Sequence, residues 1–191
     1  MKVIHPLLFF VMLLVFNSCT NFNRAVHTKK SGDLEKPLEG FLILFVETDN
    51  EILQLDEEFY NKSIRGKFNN LEHRRFRDHL ASATRYTFDA VKTFDSKDFF
   101  EVHQDYSFEE FNTVINDSDF QHLLIISMRN NMDRGEFSQQ NFQVYLFDKG
   151  IEQPLWTGFG YYNQGNIIRR PAAQRLSNRI KRDLKSDGML M

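Results

Sequence analysis

The chain has few of the residues that cross-link or interrupt a fold, with one Cys and four Pro among 191 residues. A single Cys cannot form an internal disulfide, and so little Pro excludes collagen-like and mucin-like chains. The sequence also has no internal repeat and no low-complexity block. With 41% hydrophobic residues, and 24 Lys and Arg against 26 Asp and Glu, the composition indicates one globular domain.

Motifs that would identify a reaction are also missing from the sequence. There is no Gly-rich phosphate loop, no Walker-type Lys, no Ser in a nucleophile elbow and no pair of Cys. Among the six His, His73 and His79 fall on one predicted helix, but a spacing of six places them on different faces. We therefore expect no enzyme, no cofactor and no metal site.

No apolar run is long enough to cross a bilayer as a helix. The run at residues 7–16 contains only apolar residues, but a spanning helix needs about 20, and ten is typical of a signal-peptide hydrophobic region. Cys19, the only Cys, follows this run directly behind Asn17 and Ser18. The N-terminus is therefore interpreted as a targeting segment and excluded from the fold.

This arrangement resembles the signal of bacterial lipoproteins, in which the Cys thiol receives a diacylglyceryl group and the Cys becomes the acylated first residue. Phe16 and Asn17 depart from the strict consensus and resemble the relaxed signals of the Bacteroidota. The resemblance implies that residues 1–18 are a signal peptide and that Cys19 carries lipid, including palmitate. A membrane of the cell envelope is the implied partner. A plain secretory signal and an uncleaved anchor are the alternatives.

Residues 19–38 are predicted to be the lipidated Cys and a flexible tether, and residues 39–191 a single domain. The segment is polar, contains Gly32 and Pro37, and shows almost no apolar periodicity. Positions 20–23 hold no acidic residue. Since acidic residues there promote surface export in lipoproteins of the Bacteroidota, the resemblance implies an outer-membrane location facing the periplasm.

Strands are predicted from two kinds of pattern. An unbroken apolar run at residues 41–46 indicates a strand buried on both faces, and the highly apolar stretch at residues 120–128 indicates a second strand. Alternation at residues 142–147 and 155–162, with a turn between them, indicates an antiparallel hairpin. Residues 99–102 are a further candidate strand.

Helices are predicted from apolar stripes and caps. One stripe runs through residues 68–91, Ser107 begins a capping box, and Pro171 begins a last helix that Gly188 ends. Whether residues 57–66 form a separate helix is left open. The order of elements predicts an α/β domain with a mixed parallel and antiparallel sheet, a hairpin in its C-terminal half, and covering helices.

A second resemblance lies in residues 141–160 and 175–190. They contain a strand ending in Asp, a turn, a strand with Trp near its start, and a helix closing in Lys-Ser-Asp-Gly. This resembles small envelope lipoproteins whose α/β domain is similar to the curli-secretion lipoprotein and to the N-terminal domain of TolB. It implies a non-catalytic binding or assembly role, and no site residue is carried over.

Three groups of residues are candidates for binding. Glu47 and Asp49 follow the first strand at its carboxyl end, where open α/β sheets place ligands, and could hold a cation or act as acid and base. Trp156, Tyr161 and Tyr162 could line an apolar docking surface.

Basic residues of the last helix could contact anionic head groups or an acidic partner, whereas the export signal argues against nucleic acid. Those basic residues are Arg175, Arg179 and Arg182. The structural alternative is a solvated loop for the two carboxylates, core packing for the aromatic residues, and a solvated helix face for the basic residues.

The sequence thus predicts a membrane-anchored periplasmic lipoprotein that acts as a binding or assembly accessory in the cell envelope. A periplasmic enzyme using Glu47 and Asp49, and a carrier of a small apolar ligand, are the alternatives. A deep pocket joining those carboxylates to His or Arg side chains would favour the enzyme. An internal apolar cavity would favour the carrier, and an exposed aromatic or basic surface would favour assembly.

Overall fold

A computed structural model describes residues 28–34, 38–71, 73–130, 140–162 and 170–190. The predicted signal peptide, Cys19 and most of the predicted tether lie outside these residues. The strands are β1 (Thr28–Lys30), β2 (Gly40–Glu47), β3 (Lys92–Asp95), β4 (His122–Asn130), β5 (Gln140–Asp148) and β6 (Trp156–Tyr162). The helices are α1 (Glu57–Ser63), α2 (Arg74–Thr87), α3 (Phe108–Asp117) and α4 (Arg170–Ser186).

The strands form one sheet in the order β1-β6-β5-β4-β2-β3. Strand β2 pairs in parallel with both β3 and β4, whereas the pairs β4-β5, β5-β6 and β6-β1 are antiparallel. The predicted α/β class, mixed sheet and C-terminal hairpin are confirmed.

Helices cover both faces of the sheet, which explains the unbroken apolar run of β2. Phe41 and Phe45 belong to the core that α2 and α4 cover, whereas Leu42 and Leu44 belong to the core that α1 and α3 cover. Successive side chains of a strand point to opposite faces. Because both faces are covered, every position from 41 to 46 is buried.

The predicted helix signals at Ser107 and Gly188 are confirmed. Ser107 Oγ accepts from the Glu110 backbone N–H, and the Glu110 carboxylate accepts from the Ser107 N–H at 2.7 Å. Gly188 has a φ of 70°, and the next residue, Met189, donates its N–H to the Leu184 carbonyl at 2.8 Å. This is the Schellman arrangement, which needs a left-handed residue where glycine carries no steric penalty.

Two boundaries differ from the sequence-based expectation, and a third, which the sequence left open, is fixed by the structure. Residues 28–30, assigned above to the tether, form β1, and the Ser31 N–H donates to the Leu155 carbonyl at 2.8 Å. Helix α2 begins only at Arg74 because His73 has a φ of 57°, and Phe68 packs on the opposite face of the sheet. Residues 57–63 are a separate helix.

The prediction of a strand at residues 99–102 is wrong. The strand in this part of the chain is β3, which ends at Asp95 and forms one edge of the sheet. Asp95 ends β3 with a capping box that starts a short 3-10 turn at Ser96–Asp98. Phe100 is 2% exposed and packs against Phe68 and Phe111. The aromatic side chains in this segment pack in the core between the sheet and α3, and the backbone here does not extend the sheet.

Candidate functional site

The parallel strands β2, β3 and β4 end at one side of the sheet, here called the carboxyl edge. Their last residues are Glu47, Asp95 and Asn130. In α/β sheets of this kind, ligands bind outside the carboxyl ends of the parallel strands. The two predicted carboxylates, Glu47 and Asp49, lie at this edge.

Glu47 is paired with a His that the sequence analysis did not link to it. Its Oε2 lies 3.0 Å from His73 Nε2, and the two side chains are 31% and 23% exposed. The His73 ring also packs edge-on against Phe45, with 6.5 Å between ring centroids. The contact joins the end of β2 to the start of α2, so the pair has a structural role.

The loop after Glu47 is held against the sheet by polar contacts. Asn50 Nδ2 donates to Ser63 Oγ at 3.0 Å, and the Ile52 N–H donates to the Tyr145 hydroxyl at 3.0 Å. Burial raises the pKa of Tyr145 to about 12, so its hydroxyl stays protonated at neutral pH. Asp49 lies exposed in this loop, as the solvated-loop interpretation predicts.

A small cleft of about 60 Å³ opens at the carboxyl edge beside the start of α2. Its charged lining includes Arg74, Arg77, Asp95 and Lys97. Lys97 Nζ lies 3.3 Å from Asp95 Oδ2, and burial lowers the pKa of Arg77. The cleft has room for only a few water molecules, so it is a charged recess and not a substrate pocket.

Trp156 lies in the core and cannot line a docking surface. It is 1% exposed, and its Nε1–H donates to Asp187 Oδ2 at 2.7 Å. Tyr161 and Tyr162 end β6, with backbone positions opposite Asn141 and Gln140. Their side chains lie outside the described part of the molecule, so their role in docking stays a prediction.

The basic residues of α4 are more neutralised than the sequence suggests. Arg179 Nε pairs with Asp183 Oδ2 at 2.5 Å, and Arg182 Nε lies 3.8 Å from the other oxygen of the same carboxylate. Lys181 Nζ donates to Asp89, in the turn that follows α2, at 3.1 Å. Arg175 is half-buried. The middle of α4 is therefore a network of ion pairs rather than an open basic face.

A larger cleft of about 200 Å³ lies at the opposite edge of the sheet, between α3 and the β5-β6 turn. Phe111 and Phe147 line it from the core, and the exposed Asn116 and Ile151 line it at the surface. It is smaller than the roughly 300–1,000 Å³ of typical small-molecule sites. The cleft is open to solvent and is not the internal cavity that the carrier alternative requires.

His122 sits buried near this second cleft, at the start of β4. Its Nδ1 lies 3.3 Å from the Gly40 carbonyl and its Nε2 lies 3.8 Å from Asp148 Oδ1. Burial lowers the pKa of His122 below its usual 6.5, because the charged ring loses hydration, and Gly40 and Asp148 offset part of that effect.

We expect His122 to make stability depend on pH. As pH falls through 6.5, the unfolded chain takes up a proton at this position before the folded chain does, so the free energy of unfolding falls as pH drops from neutral through and below 6.5. Urea unfolding across this range measures the slope. The variant His122→Gln should show a shallower slope, and an unchanged slope would contradict the assignment.

Within the described ranges, no group of three or more His, Cys, Asp or Glu is placed to hold a metal ion. None of the helices described has the length and apolar character to cross a bilayer.

Comparisons with known proteins identify no family for the chain. No family model matches it, and no curated protein matches it. Among solved structures, it is similar to the PelC dodecamer from Paraburkholderia phytofirmans, with a TM-score of 0.43 and 10% identity over 82% of this chain and 93% of that one. A point variant of the same dodecamer gives a TM-score of 0.45 and 9% identity over 87% and 96% of the chains. At these identities and TM-scores, no function is transferred.

Proposed function

We propose that the protein is a lipid-anchored envelope lipoprotein whose α/β domain acts as a non-catalytic binding or assembly accessory at the periplasmic face of the outer membrane. The observation that carries the proposal is the position of Cys19, the only thiol, directly behind an apolar run of signal-peptide length. A lipid on this residue would anchor the domain without a spanning helix.

The fold is compatible with this anchor. The first described strand, β1, begins at Thr28, so residues 20–27 separate it from Cys19. The domain is held together by two apolar cores on either side of the sheet. Both cores are formed by residues between Leu38 and Met189.

The non-catalytic part of the proposal rests on the chemistry at the carboxyl edge. Catalytic groups, whether nucleophiles or general acids and bases, need space for a substrate beside them. Glu47 and His73 form a pair, but His73 lies at the start of α2, and neither residue lines the nearby cleft of about 60 Å³. This arrangement favours a structural contact over an acid and base pair.

Replacing Cys19 with Ala is expected to move the protein from the membrane fraction to the soluble fraction. The thiol is the acceptor of the lipid, and two or three acyl chains hold a protein durably because each buried CH₂ adds about 0.8 kcal/mol. Fractionation and incorporation of labelled palmitate measure both effects. The matched control is Ser18→Ala, which keeps a small residue before Cys19. A wild type that is soluble, or a Cys19→Ala protein that still takes up palmitate, would contradict the proposal.

A further inference from the structure

We propose that copies of this chain associate head to tail, with Tyr86 of one copy inserted into the cleft between α3 and the β5-β6 turn of the next. This cleft is called the α3 cleft below. The contact gives the proposed assembly role a partner, a second copy of the same chain, and it does not require lipid at Cys19. Three features support it: an exposed aromatic ring, a cleft of matching size, and opposite charge around the two.

Tyr86 projects into solvent from the last turn of α2. It is 81% exposed, whereas every other Phe, Tyr and Trp side chain that the structure describes is buried or half-buried. Tyr is among the residues that most often anchor protein interfaces, because its large apolar ring carries a polar tip. A lone exposed ring is common on protein surfaces, so the presence of a fitting cleft is the deciding feature.

The α3 cleft has the size and the lining to hold one aromatic ring. Its volume is about 200 Å³, and the buried rings of Phe111 and Phe147 form part of its floor. An apolar cavity of about 150 Å³ is enough to bind benzene, so a phenol ring fits in this cleft. Asn112 and Asn116 also line it, and their amides offer hydrogen bonds to a tyrosine hydroxyl.

Tyr86 and the α3 cleft lie on opposite faces of the sheet. Tyr86 belongs to α2, which covers the face that contains Phe41, whereas α3 covers the face that contains Leu42. One contact therefore joins two different surfaces, the ring of one copy and the cleft of the next. It leaves a free ring at one end and a free cleft at the other, so further copies can add.

The helices on the two faces carry opposite charge. Helices α2 and α4 contain ten Arg and Lys against two Asp, whereas α1 and α3 contain five Asp and Glu against one Lys. Three basic residues of α4 are engaged with Asp183 and Asp89, but an excess of positive charge remains on that face. Because like faces repel and complementary charge steers association, contact between the unlike faces of two copies is favoured.

The charge beside Tyr86 is mainly positive. Arg85 is exposed next to it and has no ionic partner among the described residues. The acidic residues on this side of α2 are already engaged: Asp89 pairs with Lys181 at 3.1 Å, and Asp78, two turns before Tyr86, lies 3.5 Å from a Lys of the 3-10 turn. Arg85 is therefore available to an acidic group of a neighbouring copy.

The rim of the α3 cleft is mainly negative. Asp148 and Glu152 line it, and the exposed Asp117 ends α3 beside it. Among the described lining residues Lys149 is the only basic one, and its Nζ is occupied because it donates to the Ser118 carbonyl at 2.7 Å. An Arg85 side chain that arrives with Tyr86 thus meets carboxylates.

Analytical ultracentrifugation of the full chain in mild detergent tests the contact. The wild type should form assemblies larger than dimers as its concentration rises, and salt should weaken them. Tyr86→Ser removes the ring and Asn116→Trp fills the cleft from its exposed rim. Each should weaken association by about tenfold or more, as the loss of an interface anchor does.

Matched controls distinguish the contact from a general surface effect. Val102→Ser changes an exposed apolar residue in the loop before α3, and Asn61→Trp adds an indole to an exposed position of α1 that does not line the cleft. Both proteins should associate like the wild type. Circular dichroism checks that all variants remain folded.

Mixing the two interface variants identifies which surfaces meet. The Tyr86→Ser protein keeps its cleft and the Asn116→Trp protein keeps its ring. An equimolar mixture should therefore form pairs of one copy of each that grow no further. A mixture that associates no more strongly than either variant alone would show that the ring does not enter the cleft.

The remaining outcomes separate this contact from the lipid anchor. A wild type that stays monomeric or stops at a dimer would overturn head-to-tail association, as would Tyr86→Ser or Asn116→Trp proteins that associate like the wild type. Cys19→Ala should lose the membrane location and still associate. Association that disappears with Cys19→Ala would overturn the contact between folded domains, whereas a soluble wild type that still associates would overturn the anchor alone.

Discussion

Replacing Phe111 with Ala is expected to lower the free energy of unfolding by about 3–5 kcal/mol. Phe111 is fully buried, and its ring lies 4.7 Å from Tyr60, 5.9 Å from Phe68 and 5.6 Å from Phe100, centroid to centroid. Truncation removes apolar burial and leaves a cavity lined by rings that α1, α3 and the loops hold in place. Urea unfolding followed by circular dichroism measures the loss.

Leu53→Ala is the control for Phe111→Ala. Leu53 is 67% exposed in the loop after β2, so its truncation should change the free energy of unfolding by less than about 0.5 kcal/mol. A Phe111→Ala protein as stable as Leu53→Ala would mean that the aromatic cluster repacks, and that α3 is not held to the sheet as described.

Gly158→Ala is expected to lower the free energy of unfolding by about 1–3 kcal/mol, because the added methyl overpacks a filled core. An ideal Cβ at position 158 would lie 2.4 Å from Trp156 Cη2 and 3.0 Å from Cζ2. The indole cannot move away freely, because its Nε1–H is held by Asp187 and the ring is buried under α4. The same unfolding measurement gives the loss.

A double-mutant cycle identifies the cause of that loss. Trp156→Phe removes the outer ring of the indole and destabilises the protein by itself, since it leaves a cavity and takes the partner from Asp187. In that background Gly158→Ala should cost less than in the wild type, which appears as a favourable coupling between the two positions. Additive effects would show that position 158 needs Gly for a reason other than the indole.

Much of the fold could be predicted because its signals are local. The apolar run of β2 requires two covered faces. The capping box at Ser107 is formed within four residues, because the side chains of Ser107 and Glu110 each accept from the other's backbone N–H. The Gly188 cap likewise depends on neighbours in sequence. Each of these patterns strongly favours one local conformation, so the conformation could be predicted without knowledge of the tertiary contacts.

The candidate site was less predictable, since its contacts join distant parts of the chain. Glu47 and His73 are 26 residues apart, and no spacing rule links the end of a strand to a His at a helix start. The Arg179 and Asp183 pair is different, because the spacing of four on one helix is a signal that the sequence does contain. That signal could have predicted the neutralised middle of α4.

By itself the sequence determined the position of the single thiol behind an apolar run, the two-sided burial of β2, and the helix caps at Ser107 and Gly188. Tertiary structure decided that Thr28–Lys30 join the sheet and that Trp156 is core. The physical reason is that an edge strand is held by backbone hydrogen bonds, which carry no side-chain pattern. The burial of an indole likewise depends on which helix covers it, and here the partner of the indole N–H, Asp187 just after α4, lies 31 residues away.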